Sequence, residues 1–480
     1  MTVGKKALRG IGFMSGRAYV TMVIGFFVSV IMARLVAPKD FGLFALAIAV
    51  YNIAARARSF GFNYLVIRRK ELNNRVLFTH LVSQISMSFL VLLLLFSISP
   101  ILSNFYGKDF IPILLVIGMI SLFDKNGLSS TPVTYIEKNI DYKQYTIIFF
   151  AAFIISSLIG VYFAWLEFGV WSLVIRFGAN VVIICILSWI ICSWRPKFDF
   201  DFKILKEFFK KGKHLWLTGV AGWFMLSFDD FLVGTMIGAK PLGYYNRAYK
   251  ASRIPYGLIG SVLQVAYPVY SKYQDDKEKL SKVFSLVLSF LARVSFFFAF
   301  GIFIIIPEFT RFFYGQRWLP LVPYLRFLLL YSLLRPMYDA TGSLLVATGR
   351  EKELMKIGLT LALFMLILVP PVVYYFQVRG AAFSVGIMVL LGVILQQRKI
   401  KDVVSIKLIK IFLFPVISLL IAAFACFKID KFYAINNLLF KMIFKGLIFA
   451  IIYLLLLFIA EGKWLLKEGI YLYKIFKEKT

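Results

Sequence analysis

The sequence predicts an all-α integral membrane protein of about fourteen transmembrane helices, arranged as two parallel six-helix lobes around a central cavity with two further C-terminal helices. Three observations carry this. The 480-residue chain is 60% hydrophobic, well above the 45–50% or so of soluble domains. Apolar stretches of about 20 residues recur along almost its whole length. Its excess of Lys and Arg falls between those stretches, in short loops.

Taken in order, the expected spans are 11–35, 40–67, 76–98, 109–134, 145–166 and 169–194, then, after a polar break, 214–237, 241–267, 283–306, 320–347, 355–376, 379–396, 406–427 and 439–460. The first follows Lys5 and Lys6 as a signal peptide would. It is too long, carries Arg17 and lacks a small-residue cleavage site, so it reads as an uncleaved first helix. Two stretches are amphipathic instead: 199–213, with Phe200, Phe202, Leu205, Phe208 and Phe209, and the tail from Lys463 to Lys479, with Trp464, Leu465, Tyr471 and Phe476. Both are expected on the cytoplasmic surface, basic residues toward anionic headgroups.

A net charge of +31 would suggest nucleic acid in a soluble protein. Here it is topological. Alternating the loops places roughly 33 Lys and Arg, with both termini, on one face and roughly 10 on the other, which makes the first face cytoplasmic. No nucleic-acid partner is expected.

Short echoes divide the chain. Lys39-Asp40-Phe41-Gly42 returns as Lys240-Pro241-Leu242-Gly243; Phe105-Tyr106-Gly107 with Pro112 returns as Phe313-Tyr314-Gly315 with Pro320; Gly169 pairs with Gly380. The order is kept and the offset drifts over roughly 200 to 210 residues, as in a duplicated transporter fold. The expected organisation is an N-lobe over 1–198, an amphipathic linker over 199–213, a C-lobe over 214–402, two extra helices over 403–462 and an amphipathic tail over 463–480.

Charges inside spans cost about 2.5 to 3.5 kcal/mol each on insertion scales, so they require a reason. Arg176, Arg293 and Arg335 are expected to snorkel or to pair with acids. Arg17, Arg56, Arg58, Arg247, Lys250 and Arg253 are the candidate anion-binding residues. The last three are spaced by three along one helix face, and arginine matches phosphate oxygens through paired donors. Pyrophosphate is the anion that a membrane lipid would carry. Tyr244, Tyr245 and Tyr249 stand beside Arg247, though an interfacial belt accounts for most aromatic residues. Asp124, Asp229, Asp230 and Asp339 are candidates for ion coupling or charge pairing, with Asp229 or Asp230 a partner for Arg247 across a short turn. Lys125 is a further charge inside an expected span.

Catalytic and metal sites are not expected. Cys185, Cys192 and Cys426 form no CxxC pair, His80 and His214 are isolated and read as structural, and Asp229-Asp230 lacks further ligands. An integral membrane glycosyl-transfer or polymerase enzyme would need an extramembrane loop large enough to build a site. A drug efflux antiporter would want acids where this chain has bases.

Leu242-Gly243-Tyr244-Tyr245-Asn246-Arg247-Ala248, Pro255 and Tyr267-Pro268-Val269-Tyr270-Ser271-Lys272-Tyr273-Gln274 resemble the bacterial polysaccharide export flippases. That family is the Wzx-like branch of the multidrug/oligosaccharidyl-lipid/polysaccharide exporter superfamily. Arg34-Leu35-Val36-Ala37-Pro38-Lys39-Asp40-Phe41-Gly42-Leu43-Phe44 and the Phe105-Tyr106-Gly107 turn look like the same family. The motifs are turn markers, and a fold likeness leaves function to be argued from the site.

The resemblance implies a MATE-like fold in the bacterial inner membrane that moves undecaprenyl-pyrophosphate-linked repeat units outward by alternating access. Membrane arginines, matching Arg17, Arg56, Arg58 and Arg247 by position, would hold the pyrophosphate. It further implies a lipid-linked oligosaccharide and membrane lipids as partners, with polysaccharide polymerase or copolymerase proteins alongside. No cofactor is expected beyond coupling to a proton or sodium gradient.

Overall fold

A computed structural model describes residues 3–69, 71–107, 109–139, 142–432 and 437–477. Within them the regular structure is helical throughout. Eight helices are long and apolar enough to cross a membrane: Gly16–Leu35, Asn74–Tyr106, Lys143–Trp165, Val170–Ile191, Lys277–Tyr314, Glu351–Ile400, Leu408–Lys428 and Leu438–Gly462. Phe110–Phe123 and Leu215–Leu226 are shorter apolar helices. The remaining expected spans are helical too but interrupted, and Glu351–Ile400 contains two of them around a turn at Gln377.

Contacts divide the chain into two compact units, Met1–Gly243 and Tyr244–Thr480. In the first, α2 (Pro38–Ser59) is central, packed on α4 (Asn74–Tyr106), α5 (Phe110–Ile120), α8 (Val170–Ile191), α9 (Phe202–Leu226) and α10 (Phe228–Met236). Its buried Ala45, Ala47, Ala49 and Ala54 allow that crowding, because small side chains let helix backbones approach closely where no hydrophobic effect drives association. α1 (Val3–Leu35) packs on α7 (Tyr142–Trp165), and α3 (Phe62–Arg68) on α6 (Ser130–Lys138). On α4, Phe89, Leu90, Leu94 and Phe96 are all more than half exposed, the state expected of side chains whose solvent is lipid.

In the second unit α13 (Lys277–Phe309) is the hub. It meets α12 (Ile254–Lys272), α15 (Leu329–Ala347), α17 (Leu408–Phe432) and α18 (Leu438–Lys477). α15 packs on α16 (Glu351–Ile400), which α14 (Leu321–Phe327) also meets. α18 runs unbroken through the start of the expected tail; the side chains of Trp464, Leu465, Tyr471 and Phe476 lie outside the described residues, as does that of His214.

α9 starts within the amphipathic linker and continues into the expected seventh span. Asp201 caps it, accepting from the Lys203 amide at 2.7 Å, the side-chain acceptor that an orphan first-turn donor needs. Phe208 is buried against Phe62, Val66, Val76 and Leu77, so part of the linker's aromatic face is spent inside the first unit. Arg69–Glu207 and Arg75–Asp199 ion pairs fasten the same segment to neighbouring residues.

The echoed residues have structural causes. Within the first unit a Cβ on Gly42 would lie 1.6 Å from the Ala239 carbonyl oxygen, and one on Gly243 1.9 Å from that of Pro38. Only hydrogen fits at either position. Gly107 (φ 82°, ψ 162°) and Gly315 (φ 93°, ψ 168°) end their helices in the same backbone conformation. Gly169 (φ 54°, ψ −126°) has its backbone twin in Gln377 (φ 52°, ψ −139°) rather than in Gly380. This keeps the Gly107–Gly315 separation, and Gly380 is instead the position where the turn brings the chain back onto the Val372 carbonyl, 2.4 Å from a would-be Cβ.

Candidate functional site

Three spans expected to be continuous are broken in the first unit: the seventh at Ser227, between α9 and α10, and the second and fourth at places that meet. The second breaks at Phe60 and Gly61, both left-handed (φ 37° and 66°), before α3 resumes at Phe62. The fourth ends α5 at Ile120, passes through a short 3₁₀ turn and a loop over 124–129, and resumes as α6. Asp124-Lys125-Asn126-Gly127 makes that loop. Asp124 Oδ1 accepts from the Asn126 amide at 2.8 Å, as turn-forming Asp side chains do. A Cβ on Gly127 would fall 2.2 Å from the Leu122 carbonyl oxygen.

The two breaks are joined. Arg58 is 1% exposed, and its guanidinium donates to the Asp124 carboxylate, to Ser88 Oγ at 2.7 Å and to the Ser121 carbonyl at 3.0 Å. Tyr51 donates its hydroxyl to the same carboxylate. Asn63 Nδ2 donates to the Lys125 carbonyl at 3.1 Å, while Asn63 Oδ1 accepts from Gln84 at 2.9 Å and Ser130 at 2.7 Å. His80, wholly buried, bridges Asn63 Oδ1 and Thr131 Oγ1, 2.9 Å from each. Non-helical backbone at membrane depth is stable only when enclosed by protein or lining a cavity with its polar groups met; this network meets most of them, while Arg58 Nε, Gln84 Oε1 and Ser129 Oγ have no hydrogen-bond partner among the described residues.

The joined breaks line a cavity of about 490 Å3, whose wall includes Tyr51, Asn52, Arg56, Asn63, Tyr64, Asp124, Lys125, Asn126 and Glu137. Arg56 is exposed, with no ion-pair partner among the described residues. Lys125 donates to Tyr145 Oη at 3.0 Å and sits 4.2 Å from the Phe149 ring centroid. Arg17 lies over the same two rings, 5.5 Å and 5.7 Å from their centroids, in the range of cation–π attraction. Asp124 has its charge met by Arg58, which leaves Arg56 and Lys125 facing Glu137 as the one other acid in the wall. With Arg58 counted, three bases meet two acids and the site is net positive.

Of the candidates read from the sequence, Arg56, Arg58 and Asp124 therefore come together at one place, with Arg17 joined through Tyr145 and Phe149. Arg56 lines the cavity, whereas Arg58 sits behind it holding Asp124. Asp229 and Asp230 occupy the first turn of α10, and Asp229 is 2% exposed. In the second unit Arg247 is buried on α11 (Ala239–Ser252) with its guanidinium 5.8 Å from the Trp318 ring centroid. Lys250 and Arg253 are exposed. Asp339 pairs with Arg335 at 3.0 Å, and Arg293 is held by Glu461 through contacts of 2.7–2.9 Å. Glu461 and Glu308 were not counted among the span acids in sequence. Tyr51, Asn63, Ser88, Ser121 and Lys125 were also absent from the candidate set. The Asp-Lys-Asn-Gly turn sequence was the signal that would have exposed the break and, with it, Lys125.

No group of three or more His, Cys, Asp or Glu side chains able to hold a metal occurs among the described residues.

Interrupted helices enclosing a charged cavity within a polytopic helical chain define a membrane protein with the fold of the multidrug/oligosaccharidyl-lipid/polysaccharide exporters. The chain belongs to the polysaccharide biosynthesis protein family, whose model matches residues 31–323.

Among its relatives, the teichuronic acid biosynthesis protein TuaB of Bacillus subtilis (strain 168) is 27% identical over 299 residues, 60% of each chain. The chain thus spans under two thirds of that relative's length. The lipopolysaccharide biosynthesis protein WzxC of Escherichia coli (strain K12) is 22% identical over 354 residues, 73% of this chain and 72% of that one. The fold is that of the lipid II flippase MurJ in an inward closed conformation, with a TM-score of 0.79 at 17% identity over 94% of this chain and 98% of that one. An inward-facing multidrug resistance MATE transporter follows at 0.62 and 15% identity, over 81% and 98%.

Proposed function

We propose that this protein is a flippase: it translocates an undecaprenyl-pyrophosphate-linked oligosaccharide across the bacterial cytoplasmic membrane, for surface polysaccharide biosynthesis, by alternating access. The single observation that carries this is the cavity at the two helix breaks, where Asp124 is neutralised by Arg58 while Arg56 and Lys125 remain in the wall. Such a wall favours an anion. It disfavours the organic cations of drug efflux, because Arg56 and Lys125 outweigh Glu137, the acid that Arg58 does not neutralise.

Family membership and the relatives' roles in polysaccharide biosynthesis support the same reading. In it, Arg56 and Lys125 meet the pyrophosphate, Arg17 reinforces Lys125 from behind the aromatic pair, and Tyr51, Asn52 and Tyr64 meet sugar hydroxyls. Arg247 and Lys250 on α11, with Arg253 in the turn that follows it, form the corresponding basic group. Both termini are cytoplasmic by the charge bias. The protein makes and breaks no covalent bond; a proton or sodium gradient drives the cycle, and a polymerase acts on the delivered lipid.

The test is reconstitution in liposomes with a fluorescent polyprenyl-pyrophosphate oligosaccharide, timing its exposure on the opposite leaflet. The wild type accelerates exposure, and Arg56→Ala and Lys125→Ala each reduce the rate about tenfold, the weight of one charge-assisted contact. Acceleration unaltered in both variants removes the anion site. No acceleration by folded, inserted protein removes the flippase.

A further inference from the structure

A second built cavity, of about 640 Å3, lies in the second unit between the starts of α13 and α17 and the Ala460–Glu461 stretch within α18. It is remote in sequence from the helix breaks and shares no lining residue with the cavity there. On α13, Ser281, Ser285 and Ser289 recur every fourth residue and therefore share one helix face, a hydroxyl track running roughly 12 Å inward. The loop before α17 closes the mouth. Its Ser405 amide donates to Ser281 Oγ at 2.9 Å, and Lys282, Lys407 and Lys410 stand around the opening.

Two independent features point to an anionic occupant. Lys407 and Lys410 flank the start of α17, whose first turn contains no acid. This is the end of a helix at which the macrodipole disfavours cations and favours anions, and a bound anion satisfies lysines and helix end together. Ser289 is 2% exposed and lines the cavity, yet its hydroxyl has no hydrogen-bond partner among the described residues. Buried hydroxyls are normally partnered. Glu461, also in the lining, does not offset the lysines, because Arg293 already engages both of its oxygens. Next to this polar mouth the apolar residues Ile409, Leu413 and Phe414 are 75%, 46% and 40% exposed.

A polar, basic mouth continuous with an exposed aliphatic strip has the two-part chemistry of a phospholipid. We propose that this cavity binds the headgroup of an anionic phospholipid from the surrounding leaflet. Lys282, Lys407 and Lys410 take the phosphate, the serine track takes headgroup and glycerol oxygens, and an acyl chain lies along Ile409, Leu413 and Phe414. Basic pockets between transmembrane helices on the cytoplasmic side are suited to such headgroups.

The full-length protein in detergent, titrated with phosphatidylglycerol or phosphatidylcholine and read by native mass spectrometry, tests this. Phosphatidylglycerol adducts are expected to survive about fivefold more than phosphatidylcholine adducts, the weight of a single lysine near an anionic headgroup. Replacing Lys282, Lys407 and Lys410 together by Ala brings retention down to the phosphatidylcholine level. The same change at the exposed Lys352, Lys356 and Lys401 does not.

Ser289→Ala lowers retention by itself and carries the test if the triple variant fails to fold. Equal retention of the two lipids overturns the proposal, as does an equal loss in the Lys352, Lys356 and Lys401 control. Displacement of the lipid by glycerol 3-phosphate alone makes this a free-phosphate site, and preferential binding of a polyprenyl pyrophosphate there assigns it to the transported lipid. Either outcome overturns the phospholipid reading.

Discussion

Arg58 and Asp124 form a buried ion pair at the point where two helices of the first unit both break. Neither residue is tolerable alone at that depth, since an isolated charge there must find a partner. Removing one partner of a buried pair costs about 3–5 kcal/mol, whereas replacing both by apolar residues of similar size is close to neutral. Arg58→Ala and Asp124→Asn are therefore expected to lower the melting temperature in detergent strongly, and the paired Arg58→Met/Asp124→Leu much less. Equal losses in all three would show that the pair does not act as a unit.

Arg56 and Lys125 behave differently, because Arg56 is exposed and Lys125 rests on aromatic faces. Arg56→Ala leaves the melting temperature unchanged while weakening the binding of inorganic pyrophosphate, measured by calorimetry. Phe149→Ala removes the ring 4.2 Å from the Lys125 ammonium, a cation–π contact of about 0.5–2 kcal/mol. Tyr145→Phe keeps both ring faces and loses only the hydroxyl, so its binding loss is the smaller.

Two buried ion pairs pin α18 to α13. Arg293 holds Glu461, and Glu308 accepts from Lys445 Nζ at 2.9 Å. Glu461→Gln and Glu308→Gln are each expected to increase proteolytic cleavage within α18. The charge-reversed pair Arg293→Glu/Glu461→Arg restores part of the resistance. An unchanged cleavage rate in both single variants would mean that packing alone holds α18.

Gln377 occupies a backbone region open essentially to glycine, φ 52° and ψ −139°, a strain of roughly 1–3 kcal/mol. Gly169 has the same geometry without that cost. Gln377→Gly should therefore raise the melting temperature. A fall would show that the side chain is needed at the turn.

Outside the spans, Asp402 receives both terminal nitrogens of Arg350 at 2.5 and 3.0 Å, and that hydrogen bonding holds its carboxyl below the ordinary value of 3.8. A depressed carboxylate contributes its stability in full above the unfolded value and loses it as the pH falls through the folded one. Because the pair is exposed, the contribution is small. The difference in melting temperature between wild type and Asp402→Asn is expected to be constant from pH 5 to 8, to shrink as the pH falls below about 4, the ordinary carboxylate range, and to vanish only below the depressed folded value. A difference that persists in acid would mean Asp402 acts through its shape and not its charge.

The membrane class, the position of the apolar segments and the echoed glycines were legible because each depends on local composition or on a residue type that only one backbone geometry accepts. Gly42, Gly243, Gly107 and Gly315 are such positions. Where the helices stop was less legible. Hydropathy averages over some 20 residues and passes smoothly across Phe60-Gly61 and Asp124-Lys125-Asn126-Gly127, so two broken spans read as whole ones.

Charge partners were illegible for a related reason. Arg58 with Asp124, and Arg293 with Glu461, are neighbours only after helices pack, and an arginine within an apolar run looks alike whether it faces a ligand or a buried acid. Sequence determined that such charges exist and require compensation in lipid. Tertiary structure decided which were compensated by protein, and so which, Arg56 and Lys125 foremost, were left to line a cavity.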